Sequence, residues 1–283
     1  MQPCIVNKYQ INSELGKGKF GQVYKGIRIK DQESVAIKIE TSSEYKILKH
    51  EATILNYLHT HGSKQIPIVY WYGQFNACPT LVMTYYQNSL EDYIKHKTIS
   101  QEKLDQIMEL LFEILVNIHQ HYVIHRDIKP QNIMMKNGEL FLIDFGLSTF
   151  YVDDNFKHVA CKKDKEYIIG TPKYISYHVH DGYEPSRRDD LISLGYLYLF
   201  IQMGELPWSN IHYYPSSNEV NAAINQERKK MKSWENISQE CKNVSSSSKS
   251  SSSKIYTFME KCYQLEYSEI TEWPSSKIIE YTS

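Results

Sequence analysis

The sequence predicts an α+β chain, with a small β-rich N-terminal lobe carrying one helix and a larger, mainly helical C-terminal lobe. Three observations carry this expectation. Residues up to 40, and again 68–84, form short runs of β-branched and aromatic residues broken by glycine and turn residues. Leu104, Ile107, Leu111, Ile114, Leu115 and Ile118 recur at the helical period and make one apolar face. A second apolar run of helix length spans about Arg188 to Met203.

Taken in order, Tyr9-Gln10-Ile11-Asn12 leads as a strand into a glycine-rich turn, and Gln22-Val23-Tyr24-Lys25 leaves it as another. Asp31-Gln32-Glu33 is a turn, and Ser34-Val35-Ala36-Ile37-Lys38-Ile39 is strand-like. Tyr45, Leu48, Ala52, Leu55 and Leu58 fall at helical spacing within 43–59. Ile68–Tyr72 and Thr80–Thr84 form a further strand pair. The boundary between lobes is expected near Tyr85–Asn88, which puts the N-lobe at about 1–84, the hinge at 84–88 and the C-lobe at 89–283 of one domain. Residues 245–253, eight Ser and one Lys, are expected to be a flexible surface loop, because serine competes with its own backbone and offers no apolar face.

Composition narrows the function. The chain has 283 residues, 41% of them hydrophobic and 23% charged, which fits a globular chain and not a disordered one. Lys+Arg 32 against Asp+Glu 33 leaves a net charge of −1, so nucleic acid is not an expected partner. The five cysteines are scattered, without a CxxC pair, which argues against zinc or a disulfide scaffold and fits a reducing compartment, cytoplasmic or nuclear. No signal peptide, myristoylation site or apolar run of spanning length is visible, so no membrane association is expected. The 23 tyrosines are read as codon bias, since Ile, Lys and Asn are plentiful as well.

Four motifs carry chemistry. Gly16, Gly18 and Gly21, followed by Val23, form a GxGxxGxV turn able to lie close over phosphates. The strand-like residues after Gly21 argue against a dinucleotide fold, which needs a helix there. Val35-Ala36-Ile37-Lys38 places a lysine on the next strand, where its apolar neighbours point it into a cleft. Glu51, on the following helix, could pair with Lys38; taken alone it reads as an exposed helix charge. His125-Arg126-Asp127-Ile128-Lys129-Pro130-Gln131-Asn132 matches the protein-kinase catalytic loop, and Asp144-Phe145-Gly146 follows it. Phosphoryl transfer needs a positioned hydroxyl and cancellation of phosphate charge more than covalent help. Asp127 would take or orient the hydroxyl proton, and Lys129 would neutralise charge near the γ-phosphate. Lys38 would hold the α- and β-phosphates, with Glu51 fixing it. Asn132 and Asp144 would hold Mg²⁺, with Mn²⁺ as a substitute, through hard oxygen ligands.

On these motifs the chain resembles eukaryotic-type protein kinases over nearly its whole length, which implies the bilobal protein-kinase fold. Gly170-Thr171-Pro172-Lys173-Tyr174, Ser186-Arg187-Arg188-Asp189-Asp190, Gly204-Glu205-Leu206-Pro207-Trp208 and Asn88-Ser89-Leu90-Glu91-Asp92 resemble the casein kinase I family more narrowly, with the vaccinia-related kinases as the nearest alternative. Ser176-Tyr177-His178 stands where most kinases have Ala-Pro-Glu, and casein kinase I shares that departure. The resemblance implies a monomeric serine/threonine kinase acting on protein substrates with ATP. It implies Thr171 in contact with Asp127 and Lys129, Asp190 as an anchor for the catalytic loop, and Met83, Tyr85 and Tyr86 beside adenine, with Ala36 in the same pocket. It also implies acidic or pre-phosphorylated target sites, for which Lys162, Lys163, Lys165, Lys173 and Arg187 could form an anion pocket; the other reading of these bases is a solvated charged loop. A nucleotide-binding pseudokinase scaffold is the main alternative. The retention of Lys38, Glu51, Asp127, Lys129, Asn132 and Asp144 weighs against it.

Overall fold

The computed structural model describes residues 3–18, 21–41, 46–163, 168–211, 218–246 and 252–269. The chain has a β-rich N-terminal region and a helical C-terminal region, a mixed α+β architecture. It divides into two compact units, Met1–Leu90 with Asn132–Ser148, and Glu91–Gln131 with Thr149–Ser283.

The first unit holds an antiparallel sheet of β1 (Cys4–Ile5), β2 (Tyr9–Gly18), β3 (Gly21–Arg28), β4 (Ser34–Glu40), β5 (Val69–Phe75) and β6 (Cys78–Thr84), in the order β1-β2-β3-β4-β6-β5. Alternation along β4 decides what each side chain does. Val35 and Ile37 are fully buried in a cluster with Ile5, Tyr9, Ile11 and Val82. Ala36 and Lys38, one residue out of phase, turn to the opposite face. The helix α1 (Ile47–Thr60) buries Leu48, Ala52, Ile54, Leu55 and Leu58. Its start has no cap from its own N-cap residue; instead the Glu40 carboxylate, at the end of β4, accepts the Ile47 N–H at 3.1 Å. A small sheet of β7 (Asn88–Ser89), β9 (Ile133–Lys136) and β10 (Glu139–Leu142) belongs to the same unit, and Leu142 N–H bonds the Gln65 carbonyl at 2.9 Å.

The second unit contains α2 (Leu90–His96), α3 (Gln101–Gln120), β8 (Val123–Ile124) paired with β11 (Thr149–Phe150), α4 (Tyr177–His180), α5 (Arg187–Met203), α6 (Asn218–Met231), α7 (Trp234–Ser246) and α8 (Ser252–Gln264). The Ser100 hydroxyl caps α3 by accepting from Lys103 N–H. The expected apolar stripe of α3 is its buried face, extended by Met108, Phe112 and His119. α5 is buried on every side from Arg187 to Leu199. Its charged start survives burial because each carboxylate is spoken for: Asp189 accepts Ser186 N–H at 2.7 Å and the Ser176 hydroxyl.

One expectation changes and one falls outside the described residues. The ends of the serine tract are helical, Ser245 and Ser246 closing α7 and Ser252 and Ser253 opening α8, while 247–251 lie outside the described residues. Tyr45, expected on the first helix, also lies outside them.

Candidate active site

Within the first unit, β2 and β3 form a hairpin whose register pairs Gly16 with Val23 and Gly18 with Gly21. A Cβ on Gly21 would run into the Ile39 carbonyl of β4, so close strand approach explains this glycine. Gly16 and Gly18 have open space where a side chain would go, so no chain neighbour requires them to be glycine.

Beneath this hairpin lies a cavity of about 320 Å³, lined in part by Val23, Ala36, Met83, Tyr85, Tyr86, Asn132 and Asp144. Gly18 and Gly21 border it and Gly16 does not. Strand register accounts for part of the lining: Ala36 pairs with Met83 and Lys38 with Val23. Tyr86 is held by its ring, 4.7 Å from that of Phe141. Lys25 Nζ stands 4.9 Å from the ring of Tyr85.

The cavity's charged end is built around Lys38. Its Nζ donates to Glu51 at 2.7 and 2.9 Å and to Asp144 at 2.8 Å. Glu51 is 1% exposed, so the reading of it as an exposed helix charge is corrected by burial opposite the strand lysine. Burial alone would lower the Lys38 amine; the charges of Asp144 and Glu51 outweigh it and hold the amine above its ordinary value. Burial pushes the Glu51 carboxyl up, against the pull of Lys38. Asp144 has a left-handed backbone, φ +69°, which a non-glycine residue adopts at a cost and which tertiary structure must hold. Its side chain stays 45% exposed. Asp144 and Asn132 share the cavity lining, and no cluster of three or more His, Cys, Asp or Glu suited to a metal occurs among the described residues. One carboxylate and one amide suit Mg²⁺, which keeps waters and takes its remaining ligands from phosphate.

The second unit gathers Asp127, Lys129 and Thr171. Asp127 Oδ1 accepts the Thr171 hydroxyl at 2.6 Å and the Thr171 N–H at 3.0 Å. Lys129 Nζ donates to Asp127 Oδ2 at 2.6 Å and to Thr171 Oγ1 at 3.0 Å. Residues 44 apart in sequence meet here because Gly170 turns with φ +101°, and a Cβ there would strike the Arg126 carbonyl. Asp190 accepts the N–H groups of His125 and Arg126, both at 2.8 Å, and lies 2.9 Å from His119 Nε2. Burial would raise the Asp190 carboxyl, but His119 and the backbone donors bring it below its ordinary value. His119 was not singled out in the sequence; its place four residues after Leu115, on the buried stripe of α3, was the available signal.

Asp190→Ala is expected to cost about 3 kcal/mol at neutral pH, because it strands buried donors. A carboxyl held low in the folded state stabilises the fold above the ordinary value of 3.8. That contribution is lost as pH falls through the lowered folded value. Urea unfolding of wild type and variant should therefore differ most at neutral pH, and the difference should narrow in acid.

The expected anion-binding residues are dispersed among separate partners. Lys163 pairs with Asp181 at 3.0 Å, and Asp181 also holds Lys229. Lys173 Nζ lies 4.0 Å from the centre of the Phe200 ring, and burial lowers its amine. Arg187 departs furthest from the expected surface base: it is 7% exposed, donates to the carbonyls of Ser268 and Glu269, and stacks over Tyr151. Lys162 is exposed, and Lys165 lies outside the described residues.

A lysine fixed between two carboxylates under a glycine hairpin, in a chain that also holds an aspartate between a lysine and a threonine, is the equipment of a phosphotransferase. The family model described as protein kinase domain matches residues 9–269, and the chain belongs to that family. Protein kinase domains generally use ATP and Mg²⁺ and act on protein substrates. No helix among the described residues is long and apolar enough to cross a membrane.

Proposed function

We propose that the protein is a serine/threonine protein kinase of the casein kinase I type, transferring the γ-phosphate of ATP to Ser or Thr hydroxyls of protein substrates. The observation that carries this reading is the Asp127–Lys129–Thr171 network. These contacts fix the direction of the Asp127 carboxylate, which suits it to orient an acceptor hydroxyl and receive its proton. Lys129 supplies positive charge beside it, where charge develops on the transferred group. Thr171 locks both through its own hydroxyl.

On the nucleotide side, Met83, Tyr85 and Tyr86 with Ala36 suit adenine, and the hairpin with Gly16, Gly18 and Gly21 suits the phosphates. Lys38, positioned by Glu51, binds α- and β-phosphate oxygens. Asn132 and Asp144 would hold Mg²⁺, which would offset phosphate charge when bound. The preference for acidic or primed sites rests on the exposed Lys162 and the half-buried Lys173; with Arg187 turned to backbone carbonyls, the preference is expected to be weak.

Incubation with γ-labelled ATP, Mg²⁺ and an acidic protein, followed by phosphoamino-acid analysis, tests this. Label on Ser or Thr, abolished by Asp144→Asn, is expected. Label on Tyr alone, or undiminished label in the variant, would refute the assignment. Peptides with Asp or Ala three residues before the target serine should then differ only a few-fold in kcat/KM.

A further inference from the structure

Lys232, in the turn that closes α6, is completely buried and has no part in the sites described above. Its Nζ donates to the carbonyls of Ile175 at 2.6 Å, Pro172 at 3.0 Å and Lys173 at 3.4 Å, and lies 3.1 Å from Nε2 of His180. Trp208 Nε1 donates to the same Lys173 carbonyl at 2.7 Å. The rings of Trp208 and Tyr196 flank the amine at 4.9 and 5.0 Å. Among the described residues no carboxylate forms an ion pair with it. Burial, and then the like charge of Arg228, push the amine well below the ordinary lysine value. Burial and the neighbouring Lys232 hold the His180 ring down at about 2, and its Nε2 also lies 3.2 Å from the Pro172 carbonyl.

A buried amine without a counter-charge is costly, and hydrogen bonds are what offset the cost. Here they all go to one place. Pro172, Lys173 and Ile175 follow directly on Thr171, whose hydroxyl touches Asp127 and Lys129. The Thr171 carbonyl in turn accepts Tyr174 N–H at 2.8 Å and Ile175 N–H at 3.1 Å. Released from Lys232, the Ile175 carbonyl would lose this buried donor, the Lys173 carbonyl would keep Trp208 and the Pro172 carbonyl only the His180 ring, so the inward face of the segment would be under-satisfied and driven to shift.

We infer that Lys232 is a positioning residue for the substrate-binding face of segment 172–175: by gathering its inward carbonyls on one amine, it fixes the surface beside Thr171 on which the protein substrate rests, and so governs recognition of the protein substrate but not of ATP. This deepens the kinase reading above and rests on it. Lys232→Met keeps most of the length of the side chain and removes the donor. Its KM for a serine peptide is expected to rise about tenfold, from misplacement of the binding segment. KM for ATP should stay within about twofold of wild type, since the nucleotide residues are untouched. Loss of fold alone would instead lower the active fraction, and with it kcat, at unchanged KM for both substrates. Peptide KM unchanged in folded Lys232→Met overturns the inference, and so does an equal rise in both KM values.

Should Lys232→Met fail to fold, Trp208→Phe decides: it keeps a ring and deletes one donor to the Lys173 carbonyl. A rise in peptide KM alone supports the inference, and no rise refutes it. If the wild type transfers phosphate to no peptide, the kinase reading has failed separately. Amide exchange at 173–175 then tests the anchor by itself: faster exchange confined to that segment in Trp208→Phe upholds it, and exchange unchanged there refutes it.

Discussion

Asp127→Asn is expected to lower kcat for phosphate transfer by about 10³-fold while leaving ATP affinity near that of wild type, the scale of a lost general base. The change is nearly isosteric, so the neighbours report what is lost. The wild-type carboxylate accepts from the Thr171 N–H and hydroxyl on one oxygen and from Lys129 on the other. An amide keeps one acceptor and presents an NH₂ group, which cannot receive a proton and faces either a cationic amine or two donors. Both the proton acceptor and the geometry that aims it are degraded together. Turnover at saturating ATP, with calorimetric titration of ATP, separates the two quantities. A kcat within tenfold of wild type would show that Asp127 is not the proton acceptor.

How far the residues announced this arrangement depends on the range of the interaction. Strand β4 declares itself because its alternation is local: Val35 and Ile37 face the core, and Ala36 and Lys38 face the cavity. The stripe of α3 is local in the same sense. Asp127, Lys129, Asn132 and Asp144 stood out because motif spacing encodes chemistry that few other contexts need. Glu51 was ambiguous by itself, since a helix glutamate is ordinarily solvated; only the lysine across from it, 13 residues away, makes burial tolerable. Arg187 could not be distinguished from a surface base, because its partners are backbone carbonyls 81 and 82 residues away. Lys232 was invisible for the same reason: three of its partners are backbone carbonyls, and a carbonyl carries no side-chain signature. Residues 132–148 group with the first unit because β9 pairs with β7 and Leu142 bonds Gln65, pairings between stretches whose own periodicity does not name the partner.

The second large effect separates stability from catalysis at Lys38. In Lys38→Met, Glu51 is left buried without its cation and with Asp144 as a like charge, so stability is expected to fall by about 3 kcal/mol, the usual cost of breaking a buried pair from one side. Catalysis should fall as well, by about 10²–10³-fold in kcat, because the amine that places the phosphates is gone. The two losses have different remedies. Burial already raises the Glu51 carboxyl, and without Lys38 the simplest relief is to neutralise it. The double variant Lys38→Met, Glu51→Gln removes the unpaired charge, and its urea midpoint should recover most of the lost stability. Its turnover should stay at the level of the single variant, since no cation has been restored. A single variant as stable as wild type would mean that the Lys38–Glu51 pair contributes little net stability. Recovery of turnover in the double variant would mean that Lys38 acts only by neutralising Glu51, and the role of its amine at the phosphates would have to be abandoned.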